Sequence, residues 1–294
     1  MPQDILTQIT LCTYSTGSEM VREVLDDWLE FLGGRPKRVI FAVSSSGAIP
    51  VIYETLRSEG KIDEILVIEA QGRSVLVIEP LAVRRAIEAA PTEWILLIKL
   101  DTLPYRSGHS DWLEKCMSEV QNRGFLGMTG SFRPDDARPI APCYSSTQKY
   151  SNNFSIFRKK DWLQIIPAEL VSGLDAIIDN VSYSMEDLRF APEAAIEAHL
   201  RRTGNWMLTR NEDSDWSVFH VNVWGARLGQ IRNRYRRREK LGPFLHTGVP
   251  PRFPLVHPWQ WWYGTSPPSL LKRVRIWIGR KRRELRKVLY PKIL

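Results

Sequence analysis

Four short apolar runs dominate the first hundred residues, and segments with helical spacing separate them. The runs cover residues 9–14, 38–44, 64–68 and 94–100, and each is apolar over most of its length. Strands that are buried on both faces have this nearly continuous apolar character, whereas strands with one solvent-exposed face alternate between apolar and polar residues. Strands that alternate with helices in this way predict an α/β fold with a parallel sheet covered on both faces.

Polar residues stand at the ends of three of these runs. Thr13, Tyr14 and Ser15 end the first, Ser44 and its two serine neighbours end the second, and Asp101 follows the fourth. In open α/β sheets, ligands bind beyond the carboxyl ends of the strands. The sequence therefore predicts a ligand site at this edge of the sheet.

Asp101 comes directly after a buried-type strand, in the segment Ile-Lys-Leu-Asp-Thr-Leu-Pro at 98–104. A carboxylate in this place can bind Mg²⁺ or Mn²⁺, which prefer oxygen ligands, or accept hydrogen bonds from a ribose. An aspartate after a strand also forms turns. A ligand role and a turn role both stay open.

Two further titratable residues stand out in the second half of the chain. Pro192 and Glu193 open a helical segment that ends at Gly204. At the start of a helix, the carboxylate of Glu193 can oppose the helix dipole or act as a general base. His220 lies in a strand-like run at 218–223, where a histidine is either a hydrogen-bonded core residue or a metal ligand. The residues alone leave both alternatives open.

The order of these elements over residues 9–225 resembles the GT-A glycosyltransferases, in particular the family-2-like enzymes of bacterial surface-glycan synthesis. The resemblance implies an α/β fold with a GT-A-like nucleotide-binding mixed sheet flanked by helices. It divides the chain into a domain at 1–225, with a nucleotide-binding half at 1–104 and an acceptor half at 105–225, and an extension at 226–294. The implied activity moves a hexosyl-type sugar from a nucleotide-diphosphate donor to a glycan or lipid-linked acceptor.

The resemblance also implies a cation site. Asp101 matches the first acid of the family's Asp-any-Asp motif, but Leu103 stands where the second acid would be. In the alternative register Asp101 matches the second acid and Lys99 stands in place of the first. The positive charge of Lys99 could then offset the negative charge of a phosphate instead. His220 matches the family's late metal-binding histidine. The resemblance therefore implies Mn²⁺ or Mg²⁺ at Asp101 and His220, with one carboxylate fewer than the family pattern.

The predicted donor contacts combine the polar strand ends with positions matched from the family. They are Thr13, Tyr14, Ser15, Ser44, Arg85, Lys99 and Asp101. The first three match a loop that contacts the nucleotide in the family. Arg85 matches a position where an arginine faces the donor pocket.

The catalytic base has two candidates in the resemblance. Glu193 falls where the family's catalytic carboxylate would be when counted back from Gly204, and as a base it would direct an inverting displacement. The pair Glu186 and Asp187 matches the acidic pair of the family more closely in residue type, but its spacing to the following glycine matches the family less well. Both candidates stay open.

Charge is distributed unevenly along the chain. Residues 225–294 carry 18 Lys and Arg against two acidic residues, a net +16, so the first 224 residues carry a net −8 of the overall +8. Residues 270–289 approximate a helix with one apolar and one basic face, preceded by a Trp-rich segment. Such a helix lies on an anionic membrane surface or packs on its own domain. Nucleic acid is the weaker partner, because no recognised binding motif is present.

Cysteine usage and hydropathy indicate the compartment. None of the three cysteines falls in a CxxC pair, no apolar run reaches the roughly 20 residues of a membrane span, and no basic region precedes an apolar stretch at the N-terminus. We expect a cytoplasmic protein, bound peripherally to the inner face of the cell membrane. The alternative is a non-catalytic GT-A-like scaffold, or a membrane- or polyanion-binding protein.

Overall fold

The structure is a computed structural model. It describes residues 5–15, 20–45, 49–69, 75–130, 137–172, 191–221 and 223–239, and beyond these residues 271, 274–275, 277–279 and 281–282. The strands are β1 (Ile9–Ser15), β2 (Arg38–Ser45), β3 (Glu64–Glu69), β4 (Trp94–Lys99), β5 (Thr102–Arg106), β6 (Gly127–Thr129), β7 (Arg138–Ala141), β8 (Tyr144–Thr147), β9 (Phe154–Arg158), β10 (Met207–Arg210) and β11 (Trp216–His220). The helices are α1 (Val21–Leu32), α2 (Val51–Ser58), α3 (Val75–Ala89), α4 (Trp112–Arg123), α5 (Lys159–Ile165), α6 (Ala168–Ser172), α7 (Ala191–Thr203) and α8 (Ala226–Arg236).

The described strands form a nine-stranded sheet in the order β3-β2-β1-β4-β9-β6-β10-β8-β7, and β5 and β11 form a separate two-stranded sheet. β1 runs parallel to both β2 and β4, and β2 runs parallel to β3. This half is the parallel sheet that the four apolar runs predict. α1, α2 and α3 connect its strands, and buried side chains pack on both of its faces.

The other half of the large sheet is mixed. β9 runs antiparallel to both β4 and β6, and β10 is parallel to β6 but antiparallel to β8. The Pro- and Ser-rich composition of 131–152 predicts a loop, but β7 and β8 lie within that segment. β8 pairs with β10, some sixty residues later, and β7 pairs with β8. These pairings supply hydrogen bonds that local composition does not reveal. The predicted fold class, an α/β mixed sheet flanked by helices, is confirmed.

Five buried aromatic side chains join the small sheet to the large one. They are Trp28, Phe31, Trp112, Phe154 and Trp216, whose ring centroids lie 4.8–6.5 Å from their neighbours in the cluster. Each such side chain removes roughly 150–250 Å² from water on burial. Because Trp216 is on β11 and Phe154 is on β9, the cluster fixes the position of one strand relative to the other.

The two-stranded sheet places the end of β11 beside the end of β4. His220 pairs with Thr102 in the antiparallel register, and the N–H of Val221 donates to the carbonyl of Asp101 at 2.9 Å. The indole N–H of Trp28 donates to the carbonyl of Thr102. His220 is therefore held against Asp101 by backbone hydrogen bonds.

α8 belongs to the same core as the sheet. Its apolar side chains Leu228, Ile231 and Tyr235 are buried, and Arg232 donates two hydrogen bonds to the buried carboxylate of Asp27 on α1. The packed fold thus continues past residue 225, where the change in composition places a boundary. Part of the positive charge counted in the extension is neutralised inside the fold.

The predicted helix at 270–289 falls partly within the described residues, and those at 271, 274–275, 277–279 and 281–282 are helical. Among the described residues, no helix has both the length and the apolar character that crossing a membrane requires.

Candidate functional site

The carboxyl ends of β1 and β4 meet the amino end of β9 at one edge of the large sheet. Tyr14 is in register with Lys99 on the neighbouring strand, and Ile98 is opposite Phe154. The N–H of Lys99 donates to the carbonyl of Asn153 at 3.1 Å. This edge therefore collects polar residues from three strands, as the rule for parallel sheets predicts.

Asp101 is fully buried at this edge. Its Oδ2 lies 3.0 Å from Nε2 of His220, a residue 119 positions later in the chain. Its Oδ1 has no hydrogen-bond partner among the described residues. A buried carboxylate oxygen without a partner is costly, because its desolvation is not compensated. Asp101 therefore has one oxygen available to a ligand.

His220 connects Asp101 to the turn before β9. Its ring is 20% exposed, and its Nδ1 lies 3.2 Å from Nδ2 of Asn153. The N–H of Asn153 donates to Oγ of Ser151. The imidazole is thus held at both nitrogens, with the carboxylate on one side and the amide on the other.

Glu193 enters the site from the first turn of α7. Its Oε1 accepts a hydrogen bond from the N–H of Asn152 at 2.8 Å. Burial raises the pKa of Glu193 above its ordinary value, and this effect outweighs the Asn152 hydrogen bond and the positive charge of Lys99, which lower it. The charge of His220 also lowers the pKa of Glu193, by a smaller amount. Glu193 therefore belongs to the same cluster of charges as Lys99 and His220.

Lys99 is paired with a residue that the sequence patterns do not single out. Its Nζ lies 2.5 Å from Oε1 of Glu79 on α3, and the two side chains are only 17% and 14% exposed. Glu79 also lies close enough to Tyr14 to raise the pKa of that phenol, although burial is the larger cause and takes it to about 12. The pair places a cation and a carboxylate beside the strand ends.

The three residues predicted for a nucleotide-contacting loop lie within β1 instead. Thr13 and Ser15 are buried, and Thr13 donates to the carbonyl of Ile98. Tyr14 points the other way, because side chains alternate along a strand, and its hydroxyl donates to Oγ of Ser44 at 3.0 Å. The loop assignment is therefore corrected. Of these residues, Tyr14 and Ser44 are the ones positioned at a partly exposed surface.

Arg85 lies away from this cluster. Its side chain is exposed, comes within 3.7 Å of Glu88, and lines an open groove of about 580 Å³ between α3 and the edge strand β3. β3 stands three strands from β4, roughly 14 Å at about 4.8 Å per strand. The structure does not bring Arg85 to Asp101. The rival acids Glu186 and Asp187 lie outside the described residues.

A second group of possible metal ligands, His109, Asp213 and Asp215, has ligand atoms within 4.8 Å of one another. His109 and Asp215 are exposed, and Oδ1 of Asp213 accepts the N–H groups of Asp215 and Trp216. This cluster is at the opposite end of β11 from His220, four residues or roughly 13 Å along the strand. It is separate from the Asp101 site, and the turn accounts for Asp213.

No family model matches the chain, and no curated protein matches its sequence. One similar solved structure is the mannosyltransferase PcManGT from Pyrobaculum calidifontis in complex with GDP-Man and Mn²⁺, with 15% identity, a TM-score of 0.39, and coverage of 54% of this chain and 46% of that one. Another is S. aureus TarS 1–349, with 12% identity, a TM-score of 0.39, and coverage of 78% and 64%. The chain thus spans less than two thirds of either structure. The likeness concerns the fold.

Proposed function

We propose that the chain is a glycosyltransferase that uses a nucleotide-diphosphate sugar and transfers its sugar to a glycan or lipid-linked acceptor. The observation that carries the proposal is the convergence of Asp101, His220, Lys99 and Glu193 at the carboxyl edge of the sheet. These residues supply the chemistry that such a transfer needs: ligands for a cation, a positive charge for a diphosphate, and a carboxylate for an acceptor hydroxyl.

A divalent cation, Mn²⁺ or Mg²⁺, fits Asp101 and His220. Adjacent ligands of an octahedral ion bound at about 2.1 Å lie about 3.0 Å apart. Oδ2 of Asp101 and Nε2 of His220 have this separation, and Oδ1 of Asp101 is buried without a partner among the described residues. Such an ion, when bound, stabilises the charge that develops on a leaving diphosphate. With two protein ligands, the remaining positions would be filled by the donor and water.

Lys99 contributes a fixed positive charge to the same edge. Its ammonium is largely buried, so its interaction with a phosphate is screened less than that of a surface lysine. Glu79 holds it in place in the free protein. We propose that Lys99 orients the donor diphosphate and offsets part of its negative charge.

Glu193 is the proposed general base. The N–H of Asn152 fixes one of its carboxylate oxygens, and burial raises its pKa towards the pH at which a base is most effective. Deprotonation of an acceptor hydroxyl by Glu193, opposite the leaving diphosphate, gives an inverting displacement. Glu186 and Asp187 remain the alternative base.

The described part of the C-terminal helix supports a membrane-facing role. Leu271, Val274, Trp277 and Ile278 are exposed, with 74% exposure at Leu271. Lys and Arg residues are interspersed with them in the sequence. We propose that this segment holds the enzyme at an anionic lipid surface, on the cytoplasmic side of the membrane, where a lipid-linked acceptor is available.

The proposal is tested by donor hydrolysis and transfer with a panel of nucleotide sugars, with and without Mn²⁺. We expect Asp101→Ala and Glu193→Gln each to lose transfer by at least about a hundredfold. Glu114→Gln is the matched control, because Glu114 is also the third residue of its helix but is exposed and lies on α4. Full transfer by Asp101→Ala contradicts the site, and full transfer by Glu193→Gln contradicts the role of Glu193 as the base. If no nucleotide sugar raises the melting temperature of the protein, the non-catalytic scaffold is favoured.

A further inference from the structure

Asn153 contacts the ring nitrogen of His220 that faces away from Asp101. We infer that Asn153 is a positioning residue that sets which nitrogen of His220 carries the proton, and thereby how tightly Asp101 and His220 hold a divalent cation. The inference rests on the cation site of the proposed function. It concerns the control of that site by an amide whose side-chain hydrogen bond is with His220.

The hydrogen bonds of the imidazole fix its tautomer in the free protein. A neutral imidazole has one N–H donor and one nitrogen acceptor. With Nδ2 of Asn153 donating to Nδ1 at 3.2 Å, the proton is on Nε2, which donates to Oδ2 of Asp101 at 3.0 Å. In this tautomer Nε2 has no lone pair to offer a cation.

Cation binding through Nε2 requires the other tautomer. The proton leaves Nε2, a proton is gained at Nδ1, and the net charge of the ring is unchanged. The N–H at Nδ1 then needs an acceptor, as metal-bound histidines generally have. A primary amide can donate to a bare Nδ1 through its NH₂ group or accept from an N–H at Nδ1 through its carbonyl oxygen. Rotation of the amide by half a turn exchanges these two groups. Asn153 can therefore serve either state of His220 from one backbone position.

The backbone of Asn153 is held by hydrogen bonds that do not involve its side-chain amide. Its carbonyl accepts the N–H of Lys99 at 3.1 Å, and its own N–H donates to Oγ of Ser151 at 3.1 Å. These bonds fasten it to β4 and to the turn before β9. Side-chain rotation thus needs no movement of the sheet, and the two states differ only in the amide and the ring proton.

The experiment compares Mn²⁺ binding to the metal-free protein by isothermal titration calorimetry for the wild type, Asn153→Asp and Asn153→Leu. A carboxylate at this position only accepts, so Asn153→Asp favours the N–H at Nδ1 and tightens Mn²⁺ binding. A leucine offers no acceptor, so Asn153→Leu weakens it by about tenfold or more. A purely structural role for Asn153 would make both variants worse.

The added negative charge in Asn153→Asp is controlled by Asn152→Asp, which places the same charge one residue away. We expect Asn152→Asp to tighten Mn²⁺ binding less than Asn153→Asp does. Equal tightening by the two variants would show a charge effect alone and would overturn the inference.

A second readout is independent of both metal and activity. Long-range ¹H–¹⁵N NMR of the metal-free protein identifies the tautomer of each of the five histidines, and His220→Gln assigns the signal of interest. We expect Nδ1 to carry no hydrogen in the wild type and to carry an N–H in Asn153→Asp, where a carboxylate faces each ring nitrogen. An Nδ1 without an N–H in both proteins overturns the inference, even where Asn153→Leu fails to fold.

The two proposals fail in different ways. If the wild type binds no Mn²⁺ while the tautomer changes as expected, the cation site of the proposed function is wrong and the control of His220 by Asn153 stands. If the wild type binds Mn²⁺ and the Asn153 variants bind it equally, the cation site stands and the inference about Asn153 is wrong.

Discussion

Replacing Asp27 by asparagine removes the carboxylate that joins α1 to α8. Asp27 is 3% exposed and accepts hydrogen bonds from Arg232 at 2.5 and 2.7 Å and from Arg236 at 2.5 Å. Loss of one partner from a buried ion pair costs about 3–5 kcal/mol, because the remaining charges stay desolvated. Since Arg236 is partly exposed, we expect the lower end, about 3 kcal/mol.

The neighbouring Asp26 provides the matched control. It also pairs with a cation, Lys61 at 2.6 Å, but its side chain is 44% exposed. Exposed pairs of this kind contribute about 0.2–1 kcal/mol. Asp26→Asn should therefore change stability by less than about 1 kcal/mol, although it makes the same chemical change on the same helix.

Urea denaturation and thermal unfolding measure both variants. A loss of about 3 kcal/mol lowers the melting temperature by roughly 6–12 °C for a domain of this size. The double variant of Asp27→Asn with Arg232→Gln should be less unstable than the sum of the single changes by about 1 kcal/mol or more. Equal losses for Asp26→Asn and Asp27→Asn would refute the reasoning, and α8 would then lie outside the cooperative core.

Three further predictions concern the site and the tail. Burial raises the pKa of Glu193, and a base must be ionised to act. We therefore expect kcat/KM to fall as the pH decreases through a midpoint above the ordinary glutamate value of 4.5. A midpoint at or below 4.5 in the pH profile contradicts the base role. Lys99→Met should weaken the binding of a nucleoside diphosphate, measured by calorimetry, and Lys99→Arg should restore part of it; equal affinity in both variants contradicts a charge contact. Replacing Trp277 and Ile278 by serine should abolish sedimentation with anionic vesicles and leave donor hydrolysis in solution unchanged, whereas retained sedimentation contradicts the membrane role.

The parallel half of the fold could be predicted because its signal is local. Strands buried on both faces are continuous apolar runs, as β1, β2 and β4 are. The edge strand β3 is partly exposed, but it too falls on its apolar run within one or two residues. The start of α3 could not be predicted in the same way. Pro80 ordinarily interrupts a helix, so the pattern predicts a start at Leu81, whereas the helix begins at Val75 and includes the proline. Glu79 was missed for this reason.

The pairing of Asp101 with His220 could not be derived from local pattern. The two residues are 119 positions apart, and each has an ordinary structural explanation when taken alone. Only the order of elements in the resembled family brought them together as candidates. The contact of Asn153 with His220 could not be predicted either, because it depends on the register of β9 and β11, which the aromatic cluster fixes.

The extension illustrates the limit of counting charge. Its net positive charge predicts an anionic partner, but Arg232 and Arg236 are bound to Asp27 and Glu30 within the fold. Arg238 packs against the ring of Tyr105 and donates to backbone carbonyls. Sequence composition cannot distinguish an arginine that binds a partner from one that forms ion pairs and hydrogen bonds within the fold.

The position of Mn²⁺ in a crystal soaked with Mn²⁺ and a nucleoside diphosphate tests the central claim most directly. We predict an anomalous peak in contact with Oδ of Asp101 and Nε2 of His220, with the diphosphate between that peak and Lys99. A peak confined to His109, Asp213 and Asp215, or a nucleotide bound away from the ends of β1 and β4, would contradict the site proposed for this chain.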